Sequence, residues 1–258
     1  IGLRAGENEL SELQGCTLTR FNGPHPAGNV GVQIHHTTPI NKGEVVWTMG
    51  LQDVINLGTF LNTGKYSPNR VIALGGSEMS EARHVRTMAG AKLSDIGITA
   101  SKGARVISGS VLTGNTAGPD GYLGAFATQV VALPEGHDPK FLLTDGWLSP
   151  GLNKFSMSRA YPTWLMPKSK EYNLDTNQNG EDRAFVVSGQ YEEVFPFDIY
   201  PVHLIKSIMV NDIDAMEKLG IYEVAPEDFA LCEFVCTSKI PVQSIVREGL
   251  DTLKVELG

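Results

Sequence analysis

Residues Phe21–His36 read FNGPHPAGNVGVQIHH and are the most informative stretch of this chain. Three glycines, two prolines and three histidines fall within these sixteen positions. Because proline fixes φ and glycine leaves it free, this composition predicts a loop of defined shape. The apolar residues Val32–Ile34 predict a short strand after it. Loops of defined shape that enter a sheet are where α/β folds place ligands or partner contacts.

Length and charge limit the classes of protein to which this chain can belong. The chain has 258 residues, 41% of them hydrophobic and 19% charged, as expected for a packed soluble protein with one large domain or several small ones. The net charge is −8 and the basic residues are scattered. This argues against binding to nucleic acid or to anionic lipid, since both require clustered Lys and Arg.

The cellular location is indicated by features that the sequence lacks and by its few cysteines. No apolar run approaches the roughly 18 to 20 residues of a membrane helix, and no signal peptide is recognisable. Three cysteines in a chain of this length do not form a disulfide framework, which favours a reducing, cytosolic location. The first residue is Ile, so we expect a fragment whose beginning is missing.

The N-terminal part has the pattern of an α/β domain. Strands are predicted over Thr17–Phe21 and Val32–Thr37. An amphipathic helix follows and ends at Gly64. Its apolar face is formed by Leu51, Val54, Ile55, Gly58 and Leu61. The segment predicts the tail of an α/β domain that starts upstream.

Residues 70–133 are richer in short strand-like runs and glycine turns than the preceding part, and they predict a small β-grasp module. Four short strands are expected, separated by glycine-rich turns, at Arg70–Leu74, Val85–Met88, Arg105–Leu112 and Phe126–Leu133. One short helix fits Lys92–Ile96. Four strands and one helix within this length are typical of a β-grasp fold.

The remainder is first irregular and then helical. Alternation predicts a strand at Lys154–Ala160, and polar composition predicts a long loop at Lys168–Arg183. Helices are expected at Pro201–Val210, from Asp212 to Leu219, after Pro226 and from Val242 to Glu256. These helices predict a small C-terminal bundle.

One polar segment partly matches a calcium-binding loop, but it lacks a required ligand. Asp175–Gly180 follows the first six positions of an EF-hand loop, but the position that needs a bidentate carboxylate is Val186. The flanks are not helical either. A polar turn rich in Asn and Gly is the favoured interpretation.

The cysteines do not make a metal site by themselves. Cys232 and Cys236 are four apart on a predicted helix, so both thiols lie on one face. Two ligands are too few for a structural zinc or an iron–sulfur cluster, and Cys16 is far away in sequence. Buried apolar cysteines are the favoured interpretation.

Among the histidines, only His25 is a candidate functional residue on local grounds. His35 and His36 are adjacent in a predicted strand and would face opposite sides, so they could not easily share a metal. His25 lies between two prolines that fix its ring direction, but a loop histidine that binds a backbone carbonyl is more common than one that acts as a ligand or base.

Catalytic sequence motifs are a separate question. The sequence contains no nucleophile elbow, P-loop or dinucleotide-binding fingerprint, so no motif indicates a catalytic site.

Many short stretches along the chain follow a recognisable pattern. The first is the loop Gly23–Gly28 with Gly31 and His35. The others are Trp47, Gln52–Ile55, Thr63-Gly64, Asn69–Ile72, Arg83–Gly90, Arg105–Leu112, Tyr122–Gly124, Lys154–Ser156, Asn179-Gly180, Arg183-Ala184 and Leu231–Cys236. Taken in order, these stretches resemble NqrA, a subunit of the Na+-translocating NADH:quinone reductases. The resemblance to the NqrA family covers nearly the whole chain and identifies it as roughly the later half of that protein.

The resemblance implies an α+β fold in three parts. The family is related to the flavin-binding subunit of complex I and to the RnfC protein of the Rnf complex. Their order implies a remnant of a Rossmann-like α/β domain at 1–67 and a soluble-ligand-binding (SLBB-type) β-grasp domain at 68–134. A C-terminal domain with a helical bundle would occupy 135–258. In the relatives this bundle carries an iron–sulfur cluster, whereas here Cys232 and Cys236 would be a remnant that holds no metal.

The implied function is that of a peripheral subunit on the cytoplasmic face of the inner membrane. The whole complex would transfer electrons from NADH to ubiquinone and export sodium. This chain would hold no flavin, no cluster and no complete catalytic site. A quinone or the other subunits would contact the loop that contains Pro24, His25, Pro26, Gly28, Gly31 and His35. The alternatives left open are a stand-alone β-grasp ligand-binding protein and a flavoenzyme or cluster protein in its own right.

Overall fold

The computed structural model describes residues 1–6, 9–118, 120–136, 140–144, 146, 148–156 and 159–257. The strands are β1 Gly2–Arg4, β2 Thr19–Phe21, β3 Asn69–Gly75, β4 Arg83–Met88, β5 Arg105–Ser108, β6 Asn115–Thr116 and β7 Gln129–Leu133. The helices are α1 Val30–Thr37, α2 Leu51–Thr63, α3 Pro201–Met209, α4 Ile213–Lys218, α5 Ala230–Val235 and α6 Val242–Leu257.

The fold is α+β, as predicted. The chain forms two compact units, one of residues 1–48 with 182–258 and one of residues 49–181. The predicted domain limits at 67 and 134 stay a prediction.

The first unit begins with a parallel pair of strands and a helix where a strand was predicted. β1 and β2 pair in parallel from Gly2↔Thr19 to Arg4↔Phe21. The predicted strand Val32–Thr37 is wrong, because this segment is α1. A helix brings Gly31, Val32 and His35 to one side, whereas a strand would place Val32 and His35 on opposite faces. Tertiary contacts on that side therefore outweigh the β-branched composition.

Helices α3 to α6 enclose the core of the first unit. Four aromatic side chains lie at its centre, Tyr191, Phe195, Phe197 and Phe229, and Val32 of α1 joins them. The predicted N-cap is confirmed, since Asp212 Oδ1 accepts the Ala215 N–H at 3.0 Å at the start of α4. α3 and α6 begin and end within a residue or two of their predicted bounds. The stretch after Pro226 starts with a 3-10 turn before α5.

The second unit contains a five-stranded sheet in the order β4-β3-β7-β5-β6. β3 and β7 run parallel, and the other neighbouring pairs run antiparallel. Its core lies on one face of the sheet and consists of Ile72, Leu74, Leu93, Val106, Leu123, Val130 and Ala132. The predicted helix at Lys92–Ile96 is a 3-10 helix, Leu93–Ile96, that covers this face.

Two predicted strands of the second unit are too long. β5 ends at Ser108 because Gly109 adopts φ 106° and the Ser110 hydroxyl accepts the Thr113 N–H in a turn. β7 starts only at Gln129, after a turn in which the Ala127 N–H binds the Gly124 carbonyl.

The predicted strand Lys154–Ala160 is also wrong over its described residues, 154–156 and 159–160. The Thr163 hydroxyl donates to the Lys154 carbonyl at 2.9 Å and accepts the Ser156 N–H at 2.9 Å. These backbone groups are satisfied by a side chain, so they need no strand ladder. Residues 157 and 158 lie outside the described part.

Helix α2 completes the hydrogen bonding of β3. β7 pairs with β3 only from Ala73 onward. Before that point, Gln52 donates to the Val71 carbonyl at 2.9 Å and accepts the Val71 N–H at 2.7 Å. Asn56 donates to the Asn69 carbonyl at 3.2 Å. Side chains of α2 thus take the place of a neighbouring strand along the first half of β3.

Candidate functional site

The predicted contact loop precedes α1 and is held by two turns. The Ala27 N–H binds the Pro24 carbonyl at 3.0 Å, and the Asn29 N–H binds the Pro26 carbonyl at 2.7 Å. The His25–Pro26 peptide is cis. Pro24, His25 and Gly28 are exposed, and Pro26 is half-buried. This exposed set is therefore accessible to a partner or ligand.

Helix α1 fastens this loop to the C-terminal elements of the same unit through His35. Its Nδ1 lies 2.8 Å from Glu223 Oε2. Its Nε2 accepts the backbone N–H of Asp198 at 3.0 Å. Since Nε2 is an acceptor, the proton must lie on Nδ1 and is donated to Glu223. The ring also packs against Phe197, with centroids 4.9 Å apart.

His36 makes a separate contact. Its Nε2 lies 2.9 Å from the Pro196 carbonyl, so this nitrogen carries a proton and donates. The two rings are 5.1 Å apart and nearly perpendicular. Both histidines thus bind the segment 196–198, and neither directs a free nitrogen into a common metal site.

α1 also approaches the C-terminal elements closely at Gly31. A Cβ atom at this position would lie 2.7 Å from Asp228 Cγ and closer still to both carboxylate oxygens. Asp228 is 5% exposed, and its Oδ2 accepts the Ala225 N–H at 2.9 Å. Glycine is therefore required by the space that the carboxylate occupies.

Asp228 has an unusual titration behaviour. Burial raises the pKa of its carboxyl from 3.8 to about 6, and the neighbouring Glu227 adds to this, while the Ala225 N–H and His35 oppose it. The folded protein therefore holds this proton more tightly than the unfolded chain does. The stability that the carboxyl contributes is complete below about pH 4 and is lost as the pH rises through 6.

This behaviour predicts a pH-dependent difference between the protein and Asp228→Asn. Relative to the variant, the parent should lose about 3 kcal/mol of unfolding free energy between pH 4 and pH 7, from a pKa shift of about two units. Urea unfolding at several pH values measures this difference. Parallel curves for the two proteins would show that the carboxyl is not held in its neutral form.

The two cysteines of the predicted cluster remnant are buried in the core. Cys232 is 0% and Cys236 is 7% exposed, and both are free thiols. Burial raises the pKa of the Cys232 thiol, with Glu192 and Cys236 adding to the effect, so this sulfur stays protonated near neutral pH. Over the described ranges, no group of three or more His, Cys, Asp or Glu side chains is arranged to hold a metal ion.

The EF-hand-like segment is a polar turn, as favoured from the sequence. Asp175 Oδ1 accepts the Asn177 N–H at 3.0 Å, and Asn177 Oδ1 accepts the Asn179 N–H at 2.8 Å. Asp175 Oδ2 binds Lys140 Nζ at 2.6 Å. Burial acts to raise the pKa of Asp175, but Lys140 and the Asn177 N–H outweigh it and lower the pKa. These oxygens serve the turn itself.

The supporting role of three residues was not predicted from the sequence. They are Asp198, Glu223 and Asp228. Only Asp228 gave a signal, as an acid in the first turn of a predicted helix. Its contact with Gly31 joins positions nearly two hundred residues apart, which no local pattern reveals.

Comparison with known families defines the class of protein. Residues 3–66 match the family model described as the NqrA second alpha/beta domain. Residues 71–118 match the SLBB-type model described as the NQRA C-terminal domain. The chain belongs to the NqrA family.

Individual relatives are named as the NqrA component of the Na(+)-translocating NADH-quinone reductase. The protein of that name from Hahella chejuensis is 42% identical over 257 residues, which cover 98% of this chain and 57% of the relative. Those from Alcanivorax borkumensis and Rhodopirellula baltica are 43% and 40% identical and cover 92% and 95% of this chain. The chain spans little more than half the length of these relatives. Within the described residues, no helix has the length and apolar character needed to cross a membrane.

Proposed function

We propose that this chain is part of the NqrA subunit of a Na+-translocating NADH:quinone reductase. The complex would couple NADH oxidation and quinone reduction to sodium export, with NqrA peripheral on the cytoplasmic face of the inner membrane. The observation that carries the proposal is the 42% identity to a protein of that name along 98% of the chain. The other subunits of the complex would be its partners.

The proposal assigns no redox centre to this chain. Of the three cysteines in the sequence, Cys232 and Cys236 occupy the predicted cluster position, and both lie inside an apolar core. Two buried cysteines supply half of the ligands that an iron–sulfur cluster needs. Flavins, clusters and the NADH site would lie in other subunits, and electrons would not need to pass through this one.

Within NqrA, the exposed part of the loop is proposed as the contact for quinone or for a partner subunit. Pro24, His25 and Gly28 are accessible, whereas Gly31 and His35 lie against the C-terminal elements. The second group would fix α1 and so present the first group in a constant orientation. A rigid scaffold that positions an exposed loop is a common arrangement for binding.

An exchange of matching segments tests the proposal as a whole. The matching 257 residues of the Hahella chejuensis relative are replaced by this chain, and Na+-stimulated NADH:quinone reduction is measured in membranes. We expect the hybrid to co-purify with the other subunits and to retain most of the activity. A hybrid that folds, shown by a cooperative unfolding transition, but does not co-purify would favour a stand-alone ligand-binding protein.

Substitution His25→Ala tests the loop in the assembled hybrid. Loss of one ligand contact should raise the KM for quinone roughly tenfold, which corresponds to about 1.4 kcal/mol. His84→Ala is the matched control, since His84 is an exposed histidine on β4. An unchanged KM with weakened co-purification would assign the loop to a partner protein, and no difference from the control would remove the loop from the proposal.

A further inference from the structure

Helix α2 has its apolar side exposed. The helix is described throughout, and none of its 13 residues is buried. Leu51, Val54 and Ile55 are at least half exposed, and Leu61 is 73% exposed. These side chains, together with Gly58, form the apolar face that the sequence predicts, here called the α2 stripe. Leu57 and Phe60 lie outside it and are 43% and 45% exposed.

The polar side of α2 is the side that packs. Gln52 and Asn56 bind the backbone of β3. Asp53 pairs with the buried Arg70 at 2.5 Å. On a helical projection these three residues of α2 lie opposite the α2 stripe. An amphipathic helix that turns its polar side to its own unit and its apolar side outward has the orientation of an interface element.

The segment before α2 is also apolar and exposed. Val45, Val46, Trp47 and Met49 are all exposed, and Trp47 is 92% exposed. Between Gly43 and Gly64 the sequence has two charged residues, Glu44 and Asp53, and no Lys or Arg. A helix that lies on a membrane surface usually carries Lys and Arg beside its apolar face. Lys42 and Lys65 flank this stretch, but α2 itself carries no Lys or Arg, so its apolar stripe fits an apolar protein surface better than a lipid surface.

The family match indicates which protein surface this is. α2 lies within residues 3–66, which match an alpha/beta domain. Helices of α/β domains bury their apolar side on a sheet. The chain covers 57% of the Hahella chejuensis relative, so that relative contains further polypeptide without a counterpart here.

We infer that the α2 stripe is the side of an α/β-domain helix that faces a sheet. Its occupant is the polypeptide that the longer relatives contain outside the part that this chain matches. The inference rests on family membership and is independent of the proposed electron transfer and sodium transport.

The test compares this chain with a chimera that also carries the unmatched part of the Hahella chejuensis relative, joined in the order of that relative. Amide hydrogen exchange over residues 51–63 should be at least tenfold slower in the chimera. Val54→Asp and Leu61→Asp should lower the unfolding midpoint of the chimera markedly and that of this chain little. Val186→Asp is the matched control, since Val186 is 55% exposed and lies outside α2.

Three outcomes would overturn the inference. Exchange over 51–63 could be equal in both proteins, with Val54→Asp behaving as Val186→Asp. The chain alone could sediment as a dimer that Val54→Asp dissociates, which would make a second copy the occupant. The chimera could float with neutral phosphatidylcholine vesicles in a manner abolished by Val54→Asp, which would make the occupant a lipid surface.

Discussion

Gly76→Ala is expected to destabilise the second unit by about 4 kcal/mol, a large part of the stability of a typical domain. Gly76 follows β3 with φ 105°, a conformation that strains any residue with a Cβ. A Cβ there would lie 2.8 Å from the backbone nitrogen of Ala132 and closer still to its carbonyl oxygen. Because Ala132 belongs to β7 and is 0% exposed, the obstacle is backbone that cannot move aside.

The adjacent residue provides the control. Gly75 has an ordinary φ, and a Cβ there would meet no described heavy atom within 4 Å. Gly75→Ala should therefore change the unfolding free energy by less than about 1 kcal/mol. Urea unfolding, with hydrogen exchange of the β3 and β7 amides to localise the effect, measures both variants. Similar losses in the two would mean that the close approach of Gly76 to β7 is not what requires glycine.

Gly31→Ala is expected to cost about 2 to 3 kcal/mol, although alanine favours a helix over glycine by about 1 kcal/mol. The new methyl group would press on the Asp228 carboxylate. That carboxylate is buried and bonded to the Ala225 N–H, so it cannot turn away without leaving a donor unpaired. Propensity and packing thus predict opposite signs, and the measured sign decides between them.

A double-mutant cycle isolates the contact. Asp228→Ala removes the obstacle, so Gly31→Ala should cost far less in that background, with a coupling energy of about 1 to 3 kcal/mol. Gly28→Ala is the matched control, because no described heavy atom lies within 4 Å of a Cβ there. An additive cycle would place the cost of Gly31→Ala elsewhere than on Asp228.

The elements that the sequence predicted well are those whose signals are local. α2 ends at Thr63 and is capped by Gly64 in the left-handed conformation, as the apolar periodicity and the glycine predicted. β3 and β4 follow from β-branched runs between turn residues. In each case the deciding information lies within about a dozen neighbouring residues.

The failures arise where a distant contact decides the structure. α1 has the β-branched residues of a strand, and it becomes a helix that brings Gly31 and His35 against Asp228 and Glu223. Those acids lie near the other end of the chain, so their effect on α1 could not be read from the segment. The loop residues themselves were found because prolines and glycines mark shape, but what holds them in place was not.

Gln52 has a consequence for how this protein behaves in a crowded solution. An open strand edge offers unpaired amides to any extended peptide that drifts past, and growth of aggregates begins there. With its single carboxamide matched to both backbone groups of Val71, Gln52 closes that docking place without adding a strand. A peptide that pairs with this strand edge would first have to displace the Gln52 side chain. The two hydrogen bonds of Gln52 therefore protect the edge against association with other molecules.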